Sequence, residues 1–221
     1  MRTKSFINNN VYATVFNVIY YFFMMNIYFG ITNILFLIVV GTVPFDSEYI
    51  FIYAFSLIPT GPSFAALLSC LNKYHKEKEL NITRDFFTSY RYFLKKTITV
   101  WLMSLIILTN IIYGYLFLLK TQYVVVFTPV IFLSFYIVLT TTINYFTFLV
   151  KNADSAINEL LIISFFFTFK KFYIGILNIF IILSLFFTII LTTLSTIFFL
   201  SSILMYLLYL NNNYLYKNRR I

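Results

Sequence analysis

Charge is what this sequence has least of. Only 10% of its 221 residues are Asp, Glu, Lys or Arg, against about a quarter in an ordinary soluble domain. So few charges cannot coat a water-soluble fold of this size. A disordered chain is excluded as well, because 61% of the residues are hydrophobic and disordered segments carry far less apolar mass. Cysteine occurs once, at Cys70, and histidine once, at His75. A single thiol excludes an intramolecular disulfide framework and a cysteine-based zinc site, and the lone imidazole has no nearby ligand with which to share a metal. No Gly-x-Ser-x-Gly, His-Glu-x-x-His or P-loop pattern occurs, so no hydrolase, zinc-protease or ATPase machinery is expected. The chain reads as a non-enzyme without cofactor or metal.

What is abundant is aromatic: 29 Phe and 19 Tyr. The net charge of +9 does not point to nucleic acid, because the aromatics lie inside long apolar runs and not on a soluble stacking platform. A membrane protein collects Lys and Arg in its cytoplasmic loops, which accounts for the excess.

A spanning helix needs about 20 apolar residues. Runs of that kind predict an all-α, multi-pass membrane protein, one domain over 1–221, with about six spans near 15–40, 49–71, 97–119, 123–150, 172–190 and 194–210. The last uncharged stretch is too long for one helix and is read as two, joined near Leu191-Thr-Thr-Leu-Ser-Thr196. With the N-terminus inside, the inner segments hold Arg2 and Lys4, then 73–96, 151–171 and 217–220, which places fifteen of the sixteen basic residues inside. Asp46, Glu48 and Lys120 fall outside. A five-span arrangement would export Lys217, Arg219 and Arg220. The positive-inside rule therefore favours six spans in the cell membrane with both termini cytoplasmic.

Two inner loops carry helical patterns. Phe86, Phe87, Tyr90, Phe93 and Leu94 form one stripe, with cations at Arg84, Arg91, Lys95 and Lys96. Ala153, Ala156, Ile157, Leu160 and Leu161 form another, with Asn152 or Asp154 available as a cap. Two readings stand: interfacial helices turning cations to the headgroups of the lipid bilayer, or elbows packed under the bundle. Phe86-Phe-Thr-Ser-Tyr-Arg-Tyr-Phe93 resembles Phe166-Phe-Thr-Phe-Lys-Lys-Phe172, and Phe6 to Tyr12 holds the equivalent place before the first span. This suggests three successive hairpins in one orientation.

Pro59-Thr-Gly-Pro62 lies within the second apolar stretch. Pro62 has no N–H and disfavours a helical Gly61, so the span is expected to break, with Thr60 near the cap of the second half. Pro59, Thr60, Gly61, Pro62 and Ser63 are candidates for a ligand site at this break. The competing reading is a kink with a tight helix contact, for which Gly61, Ala65 and Ser69 supply a small-residue face. No span holds a clear ionisable residue, so proton relays are not expected. The main amides in or near the spans are Asn17, Asn26, Asn33, Asn110, Asn144 and Asn178, and interhelical hydrogen bonding is their expected role. Trp101 is expected in an aromatic belt near the inner end of span three, and Cys70 to be lipid-facing or packed.

The run Leu57-Ile-Pro-Thr-Gly-Pro-Ser-Phe-Ala-Ala66, the basic loop after it, and Asp85-Phe-Phe-Thr-Ser-Tyr-Arg-Tyr-Phe-Leu-Lys-Lys96 ahead of a Trp-containing span resemble the YesL family. These are small integral membrane proteins of Gram-positive bacteria with a domain of unknown function. The Pro-Thr-Gly break and the Phe-Phe-x-Ser element carry the likeness; the extreme Phe, Tyr and Asn content departs from it. The family lies beside carbohydrate ABC-transporter and two-component genes, so the resemblance implies an accessory role in sugar uptake and supplies no catalytic residues. The expected function is an accessory or regulatory component bound to an ABC permease or a histidine kinase. The alternative is a small permease or channel for an uncharged solute, with its site at the break 59–62.

Overall fold

The computed structural model describes residues 2–191 and 197–217, and within them the side chains of 12, 15–184, 187 and 202–213. The expected turn at 192–196 and the basic residues Arg219 and Arg220 lie outside the described residues, as do the side chains of 6–11 and of Arg2, Lys4 and Lys217.

Among the described residues the regular structure is helical, with no strand. The order is α1 (Arg2–Thr32), α2 (Ile34–Thr42), a single 3₁₀ turn (Ser47–Tyr49), α3 (Ile50–Ser56), α4 (Thr60–Glu77), α5 (Ile82–Leu118), α6 (Val124–Lys151), α7 (Ile157–Lys170), α8 (Phe172–Leu191) and α9 (Ile197–Lys217). Three helices are long and apolar enough to cross a membrane: α1 from Val15, α5 and α6. The count rises to five if each of two bent pairs is one span, α3 with α4 at 48° and α7 with α8 at 100°. Among the described residues the candidate spans thus number three to five; the last expected span, 194–210, lies partly outside them.

The sequence contains breaks that periodicity does not show, and lacks one that it suggested. The first expected span is interrupted at Asn33 (φ −108, ψ 23), after which α2 resumes. In contrast, α5 runs 37 residues without interruption, about 55 Å at 1.5 Å per residue. No Gly or Pro separates Arg84 from Trp101, so the segment expected as a separate interfacial helix is the start of the span itself. Its stripe does not face lipid: Phe86 is fully buried and Phe93 nearly so, and Phe86 packs against Tyr28 with ring centroids 5.7 Å apart. The elbow reading holds there. The second patterned segment also starts later than expected. Residues 153–156 form a turn, and α7 begins at Ile157 after Ala156 in extended conformation, with no side-chain cap. Asn152 instead closes α6.

Loops of opposite charge lie at opposite ends of the bundle. Tyr209 of α9 donates to Asn72 Oδ1 near the close of α4 at 3.1 Å and lies under Lys151 Nζ at the close of α6, 5.8 Å from its ring centroid, so the α4–α5 and α6–α7 connections share one end. Lys151 Nζ donates to Asn213 Oδ1 at 2.6 Å, which brings the last turns of α9 to the same place. At the other end, Tyr113 near the close of α5 donates to the carbonyl of Ser47 at 3.2 Å and stacks on Phe51 at 5.0 Å. That is the acidic loop of Asp46 and Glu48.

The core sits toward the basic end. It is built from Phe64–Leu68 side chains of α4, from Tyr145, Phe146, Phe148 and Leu149 of α6, and from Met25 and Leu208. Toward the acidic end large apolar side chains stand free, Val125 at 79% and Phe117 at 70% exposure. In water such a surface would cost about 25 cal/mol for each Å²; hydrocarbon removes the cost.

Candidate functional site: two facing helix breaks

The break in the second apolar segment follows from proline chemistry. The ring of Pro59 would collide with the carbonyl of Phe55, so α3 ends at Ser56. Pro59 takes the N-cap position with φ −68, and α4 begins at Thr60. Pro62 then falls in the first turn, where a helix makes no use of the missing N–H. Thr60 is therefore the first helical residue, and its side chain caps nothing.

It crosses to the first segment instead. Thr60 Oγ1 donates to Asn33 Oδ1 at 2.8 Å. Asn33 is 3% exposed, and its Nδ2 donates back to the carbonyl of Phe29 at 2.8 Å, bridging the interruption between α1 and α2. One turn on, Ser63 Oγ lies 2.9 Å from Thr32 Oγ1 and 2.7 Å from the carbonyl of Pro59, its single proton serving one of them. The two interrupted helices thus meet break to break, and each satisfies the other's polar groups.

Trp101 of α5 closes the remaining side. Its Nε1 donates at 2.7 Å to the carbonyl of Leu57, in the gap between α3 and α4. The indole lies on Gly61, and its edge meets Phe146 at 6.1 Å. Residues Gly61 to Leu68 are all buried. Irregular backbone inside a bilayer is tolerated where protein covers it, and here protein does. Trp101, half-buried, accordingly packs over the break from within the bundle. The small-residue face continues along the same pair: Ala65 is fully buried, and Ser89 of α5 donates to Ser69 Oγ at 3.0 Å.

The basic set divides. Arg84, Arg91 and Lys95 are exposed. Lys96 turns inward, donating to the carbonyls of Ala153 and Ser155 at 2.6 and 3.1 Å. It pins the turn 153–156, because an ammonium offers three donors and that turn presents carbonyls to accept them.

The interhelical role expected of Asn26 and Asn178 is found, but Asn211 and Asn212, the partners of Asn178, are not among the amides singled out in the sequence. Asn178 Nδ2 donates to Asn212 Oδ1 at 2.6 Å, Asn211 donates to Asn178 Oδ1 at 2.9 Å, and Asn212 donates to Thr147 Oγ1 at 2.8 Å. Asn178 and Asn212 are fully buried. Asn26 Oδ1 accepts from the backbone of Ser202 at 2.6 Å. The signal was the run Asn211-Asn-Asn213 closing an apolar stretch. Asn110 differs from expectation, being exposed and bonded to the carbonyl of Ile106 in its own helix. Cys70 is 1% exposed and packed.

These features define a helical protein with, among the described residues, three to five segments able to cross a membrane, two of them interrupted and clasped through side chains. No family model, curated protein or solved structure matches the chain.

Proposed function

We propose that the chain is an accessory or regulatory membrane component that associates with a carbohydrate ABC permease, or with the histidine kinase that senses its substrate, and that it is YesL-like. The observation that supports this reading is the stoppered break. A carrier with its site at an interrupted helix needs a hollow there, and Trp101 fills the space against Gly61. What remains available to other molecules is the outside. Exposed apolar flanks such as Val125, Val126 and Phe132 offer surface for a partner's helices, and Arg84, Arg91 and Lys95 offer a cationic rim. Six spans, a cell-membrane location and cytoplasmic termini belong to this proposal. The test is affinity capture from native membranes after mild crosslinking, through a tag on the C-terminus. Stoichiometric recovery of an ABC permease or a histidine kinase supports the reading, and reproducible recovery of the chain alone overturns it.

A second reading, a small permease or channel for an uncharged solute, is favoured by one observation. Asn144 Oδ1 is buried in the bundle without a hydrogen-bond partner, and a buried orphan acceptor calls for water or a polar guest. Proteoliposome flux that responds to Asn144→Leu would support it; absence of flux ends it.

A further inference from the structure

The α4–α5 hairpin holds a cavity of about 410 Å³ beside its loop, walled by Lys73, Asn81, Arg84, Asp85, Thr88 and Ser89. A second, of about 740 Å³, shares Lys73 and Asn81 with it and runs toward α1 past Asn17 and Tyr21. Both lie at the basic end of the bundle.

The hydrogen-bonding capacity of the first cavity is one-sided. Its one carboxylate is already engaged: Asp85 Oδ1 accepts from Lys73 Nζ at 2.8 Å, and Oδ2 accepts from the backbone N–H of Asn81 at 3.0 Å. Lys73 and Asp85 therefore cancel as charges within the cavity; Glu77 lies at the longer distance of 4.0 Å from Lys73 Nζ, on the side of the second cavity, and the ammonium keeps a donor to spare. The Arg84 guanidinium and the Thr88 hydroxyl have no hydrogen-bond or ion-pair partner among the described residues. The Asn81 amide caps nothing. The floor is the Ser69–Ser89 hydroxyl pair. A wall with one net positive charge and several unused donors fits a ligand rich in acceptors and negatively charged. A guanidinium fork matches phosphate oxygens in pairs. The volume exceeds what a bare phosphate ion fills and falls among ordinary small-ligand pockets, roughly 300–1,000 Å³. The adjoining cavity carries Glu77 and Glu79 beside Lys78, so it offers acceptors that suit hydroxyl groups and not a second anion.

We propose that this cavity binds a phosphate ester with a hydroxylated substituent, Arg84 taking the phosphate and Lys73, Thr88 and Asn81 the remaining oxygens. The same chemistry comes from two sources, the glycerophosphate head of an anionic lipid or a soluble sugar phosphate. The site stands independently of the accessory role.

The test uses the full chain in phospholipid nanodiscs. In one arm, native mass spectrometry measures phosphatidylglycerol retained from discs mixed with phosphatidylcholine. In the other, calorimetry measures glucose 6-phosphate binding in pure phosphatidylcholine discs, with inorganic phosphate alongside. Binding in the first arm assigns the lipid source, and binding in the second the soluble one. In whichever arm binds, Arg84→Gln is expected to weaken binding by about tenfold or more through loss of a charge-assisted pair. Thr88→Leu, which fills the cavity without altering charge, is expected to weaken it as well. Arg91→Gln, two turns along α5 and outside the cavity, is expected to leave it unchanged. The proposal is overturned if neither arm binds, if Arg91→Gln weakens binding as much as Arg84→Gln, or if both cavity variants bind like the wild type.

Discussion

Gly61 and Trp101 compete for one volume. A Cβ placed on Gly61 would lie 2.5 Å from Trp101 Cγ and 2.7 Å from its Cβ and Cδ1, nearer than real atoms approach. The contact point is the stem of the indole, which cannot swing aside without breaking the bond from Nε1 to the Leu57 carbonyl. Glycine at 61 is therefore required by packing, and the same indole gives the Leu57 carbonyl in the helix break a second hydrogen bond beside that from the Thr60 N–H.

Gly61→Ala should destabilise the protein by about 1–3 kcal/mol, the usual cost of overpacking. Trp101 is the one tryptophan in the chain, so its fluorescence reports its own displacement. The expected result is a red-shifted emission together with a lower melting temperature in detergent. An unchanged spectrum and melting temperature would show that the seam yields without strain.

Trp101→Phe keeps the ring against Gly61 and removes the N–H. The Leu57 carbonyl also accepts from the Thr60 N–H at 3.1 Å, so it is not left bare. The expected loss is about 1 kcal/mol, the net worth of one hydrogen bond, and smaller than the loss for Trp101→Ala. Thermal unfolding of both variants side by side settles the order.

Asn33 and Thr60 join the two interrupted segments by a single side-chain bond. A double-mutant cycle of Asn33→Ala with Thr60→Val should return a coupling of about 0.6 kcal/mol, the average for such bonds in membrane proteins. A coupling near zero would mean that the breaks are aligned by Ser63 and Trp101 alone.

Lys96→Met should loosen the turn at 153–156 while leaving the helices intact. Hydrogen exchange of that turn is expected to rise, since its carbonyls lose the ammonium. Lys95→Met, one residue away on the exposed side, is the control and should change nothing. Equal effects of the two would point to a general charge effect.

Asn212→Leu removes an amide that both accepts from Asn178 and donates to Thr147. The buried Asn178 Nδ2 loses its acceptor, while Thr147 keeps its bond to the Ile143 carbonyl, so the expected loss is about 1–3 kcal/mol, read as a drop in melting temperature. Asn110→Leu, whose amide bonds only to its own helix, should be close to neutral.

Much of the fold was legible in the sequence for simple reasons. Long uncharged runs can only be helices in a setting without water, and two prolines around a glycine must interrupt one, so the break after α3 could be placed in advance to within a few residues. Charge asymmetry anticipated the separation of acidic and basic loops. Asn33 and Trp101 could be named but not assigned. An asparagine in an apolar run reads the same whether it interrupts the helix or hydrogen-bonds across it. A tryptophan near a helix end reads the same at a membrane surface or on a glycine. The fate of Lys96 beside Lys95 was equally hidden, because adjacent residues on a helix point about 100° apart and only the position of the α6–α7 turn decides which one is covered.

Composition and local stereochemistry thus determined by themselves the helical class, the apolar segments and the place where proline forbids a regular hydrogen bond. These depend on one residue and its immediate neighbours. Tertiary structure alone decided that the break of one segment lies against the interruption of another, that an indole fills the space a side chain would need at Gly61, and that Asn178 finds Asn212. Those outcomes depend on which helices become neighbours across dozens of residues, and hydrophobic burial, which drives that choice, is non-directional; specific pairing comes only from shape and from polar groups that have no other partner.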